Sequence, residues 1–278
     1  MMIPTRCLKI LTLILAFISI ADAQSTTEPS DNYLAKAIET TSSDTSSCAP
    51  QAVDRDKWQF RLTPYLWIAG ISGNAGLGNL TVGVESGLTD EKVNLNFGFM
   101  ATFEARKNRF IILTDLQYSN LGTDRPTPGP LFSNATADFK TFILDPEVGY
   151  RIYDNPERGD FFGVVGGIRY WHLKANLTFN PGILSAVSAA DSRDWVDAVG
   201  GFRGGFRLSK RIFFTGKADL GGGGSQLTYQ LFGGVGFQLT EHFSLTGGYR
   251  DLKVDYNKGG FLFDVALHGP VFGLGIKF

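Results

Sequence analysis

From Trp58 onward, apolar and polar residues alternate with a period of two, the pattern of strands that bury one face. In the first stretch Trp58, Phe60, Leu62, Leu66 and Ile68 share one face, with Gln59, Arg61, Thr63, Tyr65 and Trp67 on the other. The second stretch sets Val93, Leu95, Phe97, Phe99, Ala101, Phe103 and Ala105 against Asn94, Asn96, Gly98, Thr102, Glu104 and Arg106. Lys107-Asn108 reads as a tight turn. The same alternation predicts strands over 109–121, 137–153, 161–177, 194–208, 211–220, 226–239, 243–254 and 261–278. In the last of these the apolar parity switches between Leu267 and Pro270. That switch predicts a β-bulge at His268-Gly269-Pro270, because proline in sheets sits at edges or bulges.

The pattern amounts to about ten strands, with eight as the alternative. The connections after the second, fourth, sixth and eighth are short. Those after the first, third and fifth are long, at 72–92, 122–136 and 178–193. Short turns at one end, long loops at the other and an even strand count describe an up-and-down outer-membrane barrel. The predicted fold is therefore all-β, a transmembrane antiparallel barrel spanning 58–278.

The two faces decide the lumen. The apolar face is bulky and aromatic on nearly every strand, too large to pack inside ten strands, so it is expected to meet lipid. The opposite face then turns inward. It carries Arg61, Arg106, Arg151, Arg169, Arg203, Arg207, Lys217 and Arg250, balanced by Glu104, Asp115, Asp145, Glu147, Asp197, Asp219 and Asp264. Buried charges are tolerable only when paired. A lumen largely filled by salt bridges is expected, with a narrow channel or transporter for a small solute as the alternative. Aqueous porin channels need about 16–18 strands.

Composition fits this frame. The chain has 34 Gly, 23 Phe and 9 Tyr in 278 residues, 43% hydrophobic and 19% charged, with a net charge of -1. Such a balance argues against nucleic-acid binding. Residues 1–23 read as a signal peptide. Arg6 and Lys9 precede an apolar run from Ile10 to Ile20, and Ala21-Asp22-Ala23 supplies the cleavage pattern. The run is shorter than the roughly 17–25 residues of a spanning helix. Residues 24–57 are rich in Ser, Thr, Asp and Glu and read as a flexible periplasmic lead-in. They hold Cys48, the single cysteine after cleavage, so no internal disulfide is expected.

Catalytic signals are weak. His172, His242 and His268 lack zinc-ligand spacing, and the glycines form neither a dinucleotide fingerprint nor a P-loop. No metal, cofactor or catalytic residue is expected. His172 with Asp191 or Asp194 could imitate a rim enzyme, which stands as the second alternative to a non-enzymatic role. Asn79, Asn134 and Asn176 begin N-x-[ST] sequons that matter only in a eukaryotic secreted chain.

Several motifs together resemble a known group. They are Arg61-Leu-Thr-Pro-Tyr-Leu-Trp67, Phe103-Glu-Ala-Arg106, Gly149-Tyr-Arg-Ile-Tyr153, Gly167-Ile-Arg-Tyr-Trp171, Asp194-Trp-Val-Asp197 and His268-Gly-Pro270. In this order the series is similar to uncharacterised outer-membrane β-barrel proteins of Gram-negative bacteria, related distantly to small OmpA- and OmpW-type barrels. The resemblance implies the fold and an outer-membrane location, and carries no activity. The terminal strand also resembles the signal read by the barrel-assembly machinery: Gly273, Ile276 and Phe278 match, while Val271 stands where a polar residue is usual. The expected partners are outer-membrane lipid and that machinery during biogenesis. The expected role is structural or surface-interacting, and the sequence names neither a solute nor an extracellular ligand.

Overall fold

The computed structural model describes residues 56–77, 80–86, 93–126 and 130–278. The expected signal peptide, Cys48, Asn79 and the lead-in up to residue 55 lie outside the described residues. Among the described residues twelve strands form one antiparallel sheet. They are β1 (Gln59–Trp67), β2 (Gly70–Leu77), β3 (Leu80–Ser86), β4 (Val93–Lys107), β5 (Phe110–Pro126), β6 (Phe132–Asn155), β7 (Asp160–Pro181), β8 (Val187–Arg207), β9 (Ile212–Gly223), β10 (Leu227–Gln238), β11 (Phe243–Lys258) and β12 (Phe261–Lys277).

Neighbours in sequence pair from β4 to β12, and β1 bonds both β4 and β12. Ten strands thus close into a barrel, and the β2–β3 hairpin is added along the upper part of β12. Closure removes the unpaired edge that an open sheet would expose. The last residue completes the seam. Phe278 and Phe60 exchange backbone hydrogen bonds of 3.1 and 3.2 Å, and their rings stack at 6.0 Å.

β1 and β2 meet β12 in one unbroken register, with Trp67 opposite Val271 and Gly70 opposite His268. They act as a single long strand, interrupted where it faces Pro270, which has no N–H to give. The Pro270 carbonyl still accepts from the Ile68 N–H at 3.0 Å. On the other side of β1 the ladder to β4 ends at Pro64 opposite Ala101. The turn expected at Lys107-Asn108 is formed by Asn108 and Arg109, and Asn108 has a φ of 52°, a left-handed conformation that asparagine tolerates.

Three of the expected long connections contain sheet. β3 and most of β2 lie within 72–92, and β5 through β8 run on as tall hairpins well beyond the strand ends expected from alternation. We call this the hairpin end. The other, the turn end, holds the short turns, the start of β1 and the end of β12.

The expected bulge at His268-Gly269-Pro270 does not occur. β11 and β12 keep one register from Phe243 opposite Ile276 to Lys258 opposite Phe261. The backbone phase is constant, and the polarity of the two faces exchanges. Toward the turn end β11 points Ser244, Thr246 and Arg250 inward and Phe243, Leu245 and Tyr249 outward. Past Tyr249 the inward residues are Leu252, Val254 and Tyr256, all buried, and the outward ones are Asp251, Lys253 and Asp255. β7 repeats this. Its outer face runs Phe162, Val164, Ile168 and Tyr170, then His172, Lys174 and Asn176. On β8 the outward apolar run from Phe206 to Val196 gives way to Asp194 and Ser192.

The outer surface therefore carries a continuous apolar belt, closed toward the hairpin end by Tyr118, Phe142, Tyr170 and Tyr249. On β7 the belt covers Phe162 to Tyr170, close to the about 9–11 residues with which a strand crosses a bilayer. Above the belt the barrel has the polarity of a water-soluble protein, with apolar side chains inside and charged ones outside.

Candidate functional site in the barrel lumen

The lumen has three sections. At the hairpin end it is filled by an apolar core that alternation alone did not reveal. Trp171, Leu173, Trp195, Leu252, Val254, Tyr256, Phe261, Phe263 and Val265 are buried there. Trp171 stacks on Trp195 with ring centroids 5.4 Å apart, and Trp195 on Tyr256 at 4.3 Å. Such aromatic pairs contribute about 0.5–1.5 kcal/mol beyond the area they bury. The core belongs to the wall strands themselves.

Beneath it lie two clusters of buried charge. Arg169 is fully buried. Its Nε donates to Asp145 at 3.0–3.1 Å, its Nη2 reaches Asp219 at 2.9 Å, and its Nη1 donates to the Thr228 hydroxyl at 3.0 Å. Lys217 extends this group, donating to Glu147 at 2.8 Å and lying 3.2 Å from Asp219. In the second cluster Arg250 donates to Asp115 and to the Tyr65 hydroxyl, both at 2.8 Å, and to Gln230. Tyr65 in turn donates to Asp115 at 2.8 Å. The Arg250 guanidinium also sits 4.9 Å from the Trp67 ring centre, so the charge meets the apolar core through a cation–π contact.

The third section, at the turn end, is partly hollow. A cavity of about 150 Å³ reaches up to Tyr65, Asp115 and Arg250. Another of about 200 Å³ opens among the strand ends, next to Pro156, Gly159, Gln238 and Lys277. Arg61, Glu104, Arg203, Phe213 and Thr215 line both. Glu104 holds Arg203 at 2.7 Å and lies 3.9 Å from Arg151, which pairs with Asp154 at 3.0 Å.

The structure brings Arg169, Asp145, Asp219, Lys217 and Glu147 together, joins Arg250 to Asp115, and groups Glu104 with Arg151 and Arg203. Other residues of the expected lumen set stand apart. Arg106 donates to Gln59 near the turn-end rim. Arg207 is exposed at that rim, its backbone N–H donating to Asp160 at 2.7 Å. Asp197 points inward but accepts the Ser225 backbone N–H at 2.6 Å, tying down the β9–β10 turn. Asp264 is a correction. It faces outward and binds Lys253 on the outer surface, because the unbroken register of β12 turns Phe263 and Val265 inward. Of the assembly-signal residues, Phe278 is exposed on the outer face beside Phe60, Ile276 pairs with Leu62, and Gly273 faces inward opposite Tyr65.

His172 and Asp194 do meet, at 2.7 Å, and the Tyr170 hydroxyl donates to the same Asp194 oxygen at 2.6 Å. The group lies on the outer surface just above the belt. Hydrogen bonds from Tyr170 and His172 hold the Asp194 carboxyl below the usual carboxylate range. A depressed carboxylate pKa stabilises the fold at neutral pH, and the effect is lost as pH falls through the folded-state value. Tyr170→Phe is expected to raise the Asp194 titration midpoint, readable by NMR titration; an unchanged midpoint would discount the tyrosine hydrogen bond. Among the described residues no cluster of three or more His, Cys, Asp and Glu side chains could hold a metal ion.

This geometry defines a closed ten-stranded antiparallel barrel of the architecture found in outer-membrane proteins. The chain resembles the translocator domain of the autotransporter NalP from Neisseria meningitidis, at 12% identity over 82% of this chain and 91% of that one, with a TM-score of 0.42. It also resembles Ail, the attachment invasion locus protein of Yersinia pestis, at 15% identity over 80% and 98%, with a TM-score of 0.36. Neisserial surface protein A follows at 13% identity over 80% and 97%, with a TM-score of 0.33. No family model and no curated protein sequence matches the chain.

Proposed function

We propose that the protein is an integral outer-membrane barrel with a non-enzymatic role, structural or surface-interacting, whose lumen is closed to through-flow. One observation carries the reading. The Trp171–Trp195–Tyr256 stack closes the hairpin end, and the Arg169 and Arg250 clusters fill the section below it. The apolar belt supports residence in a bilayer. Short turns in outer-membrane barrels face the periplasm, which assigns the turn end to the periplasm and the tall hairpins to the cell exterior. The tips of those hairpins expose Leu131, Ile183, Leu184 and Val187. The 182–184 tip also bonds the backbone of Pro130 and Leu131, so two hairpins present one joined surface to a partner. Phe278, at the end of the closing strand, is the handle for the barrel-assembly machinery.

Reconstitution of the refolded protein in planar bilayers tests the closed lumen. No discrete conductance steps are expected across the physiological voltage range. Steps of reproducible size would overturn the reading in favour of a narrow channel.

A further inference from the structure

The turn-end cavity is lined or rimmed by Arg61, Arg106, Arg151, Arg203, Arg207 and Lys277. Glu104 is the one carboxylate among its described lining residues, and Asp154 holds Arg151 from the side of the turn. The upper clusters pair their charges closely, whereas this section keeps an excess of positive charge. Its donors are also incompletely used. Among the described residues, the Arg61 and Lys277 side chains make no hydrogen bond and no ion pair within 4.0 Å, with Glu104 and Glu241 as their more distant electrostatic partners. Arg203 Nη1 and Arg151 Nε are buried without a protein partner. Buried donors without partners are costly, and like charges crowded in a partly desolvated chamber repel one another.

We propose that this cavity binds a small oxyanion of phosphate chemistry, either free phosphate or a phosphate ester. Guanidinium groups present planar forks that match phosphate oxygens, and they remain charged at any physiological pH. The cavity of about 200 Å³ is more than ten times the about 10–15 Å³ that one water needs. Its lining reaches the strand ends at Pro156, Gly159, Gln238 and Lys277 and includes none of the aromatic core residues, so an ion reaching it from the turn side need not pass that core. The neighbouring cavity shares Arg61 and Arg203, which allows room for the organic part of an ester. The inference concerns the turn-end section alone, and it holds whether or not the barrel conducts.

Calorimetric titration of the refolded full-length chain in detergent, at low ionic strength, provides the test. Inorganic phosphate and glycerol phosphate are used in separate arms. Saturable binding is expected in at least one. Arg61→Gln and Lys277→Gln remove cations that no carboxylate holds within 4.0 Å, so the barrel keeps its close ion pairs. Each is expected to weaken binding at least about tenfold. Lys140→Gln, on the outer surface, is expected to leave it unchanged. Tighter binding of the ester would identify an organic phosphate as the preferred ligand, and binding of the free ion alone would identify phosphate itself. Absence of saturable binding in both arms at millimolar concentrations would overturn the proposal. Equal weakening by Lys140→Gln and Arg61→Gln, with both variants folded by gel mobility, would also overturn it.

Discussion

Replacing Arg169 with Met is expected to destabilise the barrel by about 3–5 kcal/mol. The guanidinium is fully buried and is shared by Asp145, Asp219 and Thr228. Its loss would strand Asp145 without its cation and leave Asp219 to Lys217 alone. The penalty comes from the carboxylates left behind more than from the hydrogen bonds lost. Denaturant unfolding in detergent, followed by tryptophan fluorescence, would show it as a lowered midpoint. A triple variant, Arg169→Met with Asp145→Leu and Asp219→Leu, would recover most of the loss, because apolar groups of similar size replace a buried ion group at little cost. A single variant within about 1 kcal/mol of the native chain would show that the carboxylates do not depend on Arg169.

The second large effect is expected at Trp171. It is fully buried, and its ring joins the stack that passes through Trp195 to Tyr256. Trp171→Ala would leave a cavity among rigid strands and is expected to cost about 3–5 kcal/mol. Trp171→Phe keeps a ring and removes an indole N–H that has no protein partner. Its cost is therefore expected to be much smaller. The pair of variants separates packing from polarity in the same unfolding experiment. Equal losses in the two would mean that the indole, rather than aromatic filling, holds the hairpin end. A loss below about 1 kcal/mol for the alanine would mean that the stack is dispensable.

Alternation located the barrel strands because a wall with one apolar face repeats every two residues, whatever lies on either side of it. The charges at Arg169, Asp145, Asp219 and Arg250 could be placed inward for the same reason: each alternates with residues of the belt. The hairpin end was harder to read. Trp171 and Trp195 share the inward parity of Arg169 and Asp197, yet apolar residues are assigned outward when the whole strand is taken to face lipid. The same assumption placed Asp264 in the lumen and required a bulge beside Pro270. Two signals lay in the residues themselves. Asp251, Lys253 and Asp255 alternate with Leu252, Val254 and Tyr256, and the opposing β12 shows the same exchange. Reading both strands against one continuous register would have located the inversion. The pairing of individual charges was not legible, since parity fixes a face and does not choose a partner across the lumen.

The exchange of polarity past Tyr249 also acts as a depth gauge. A uniform lipid-facing cylinder could slide along the bilayer normal with little penalty. Here a two-residue shift toward the turn end would keep every side chain on its own face but draw His172, Asp194 and Asp251 into the hydrocarbon. Each such group costs from about 0–1 kcal/mol near an interface to about 2–4 kcal/mol at the midplane for the most basic side chains. The opposite shift would lift Tyr170 and Tyr249 into water and draw the exposed turn-end residues Arg109, Lys210 and Glu241 toward the hydrocarbon. The change falls on paired positions of β7 and β8, where His172 faces Asp194, and recurs on β11, so the penalties add. In a bilayer this exchange of polarity would fix the depth at which the barrel sits.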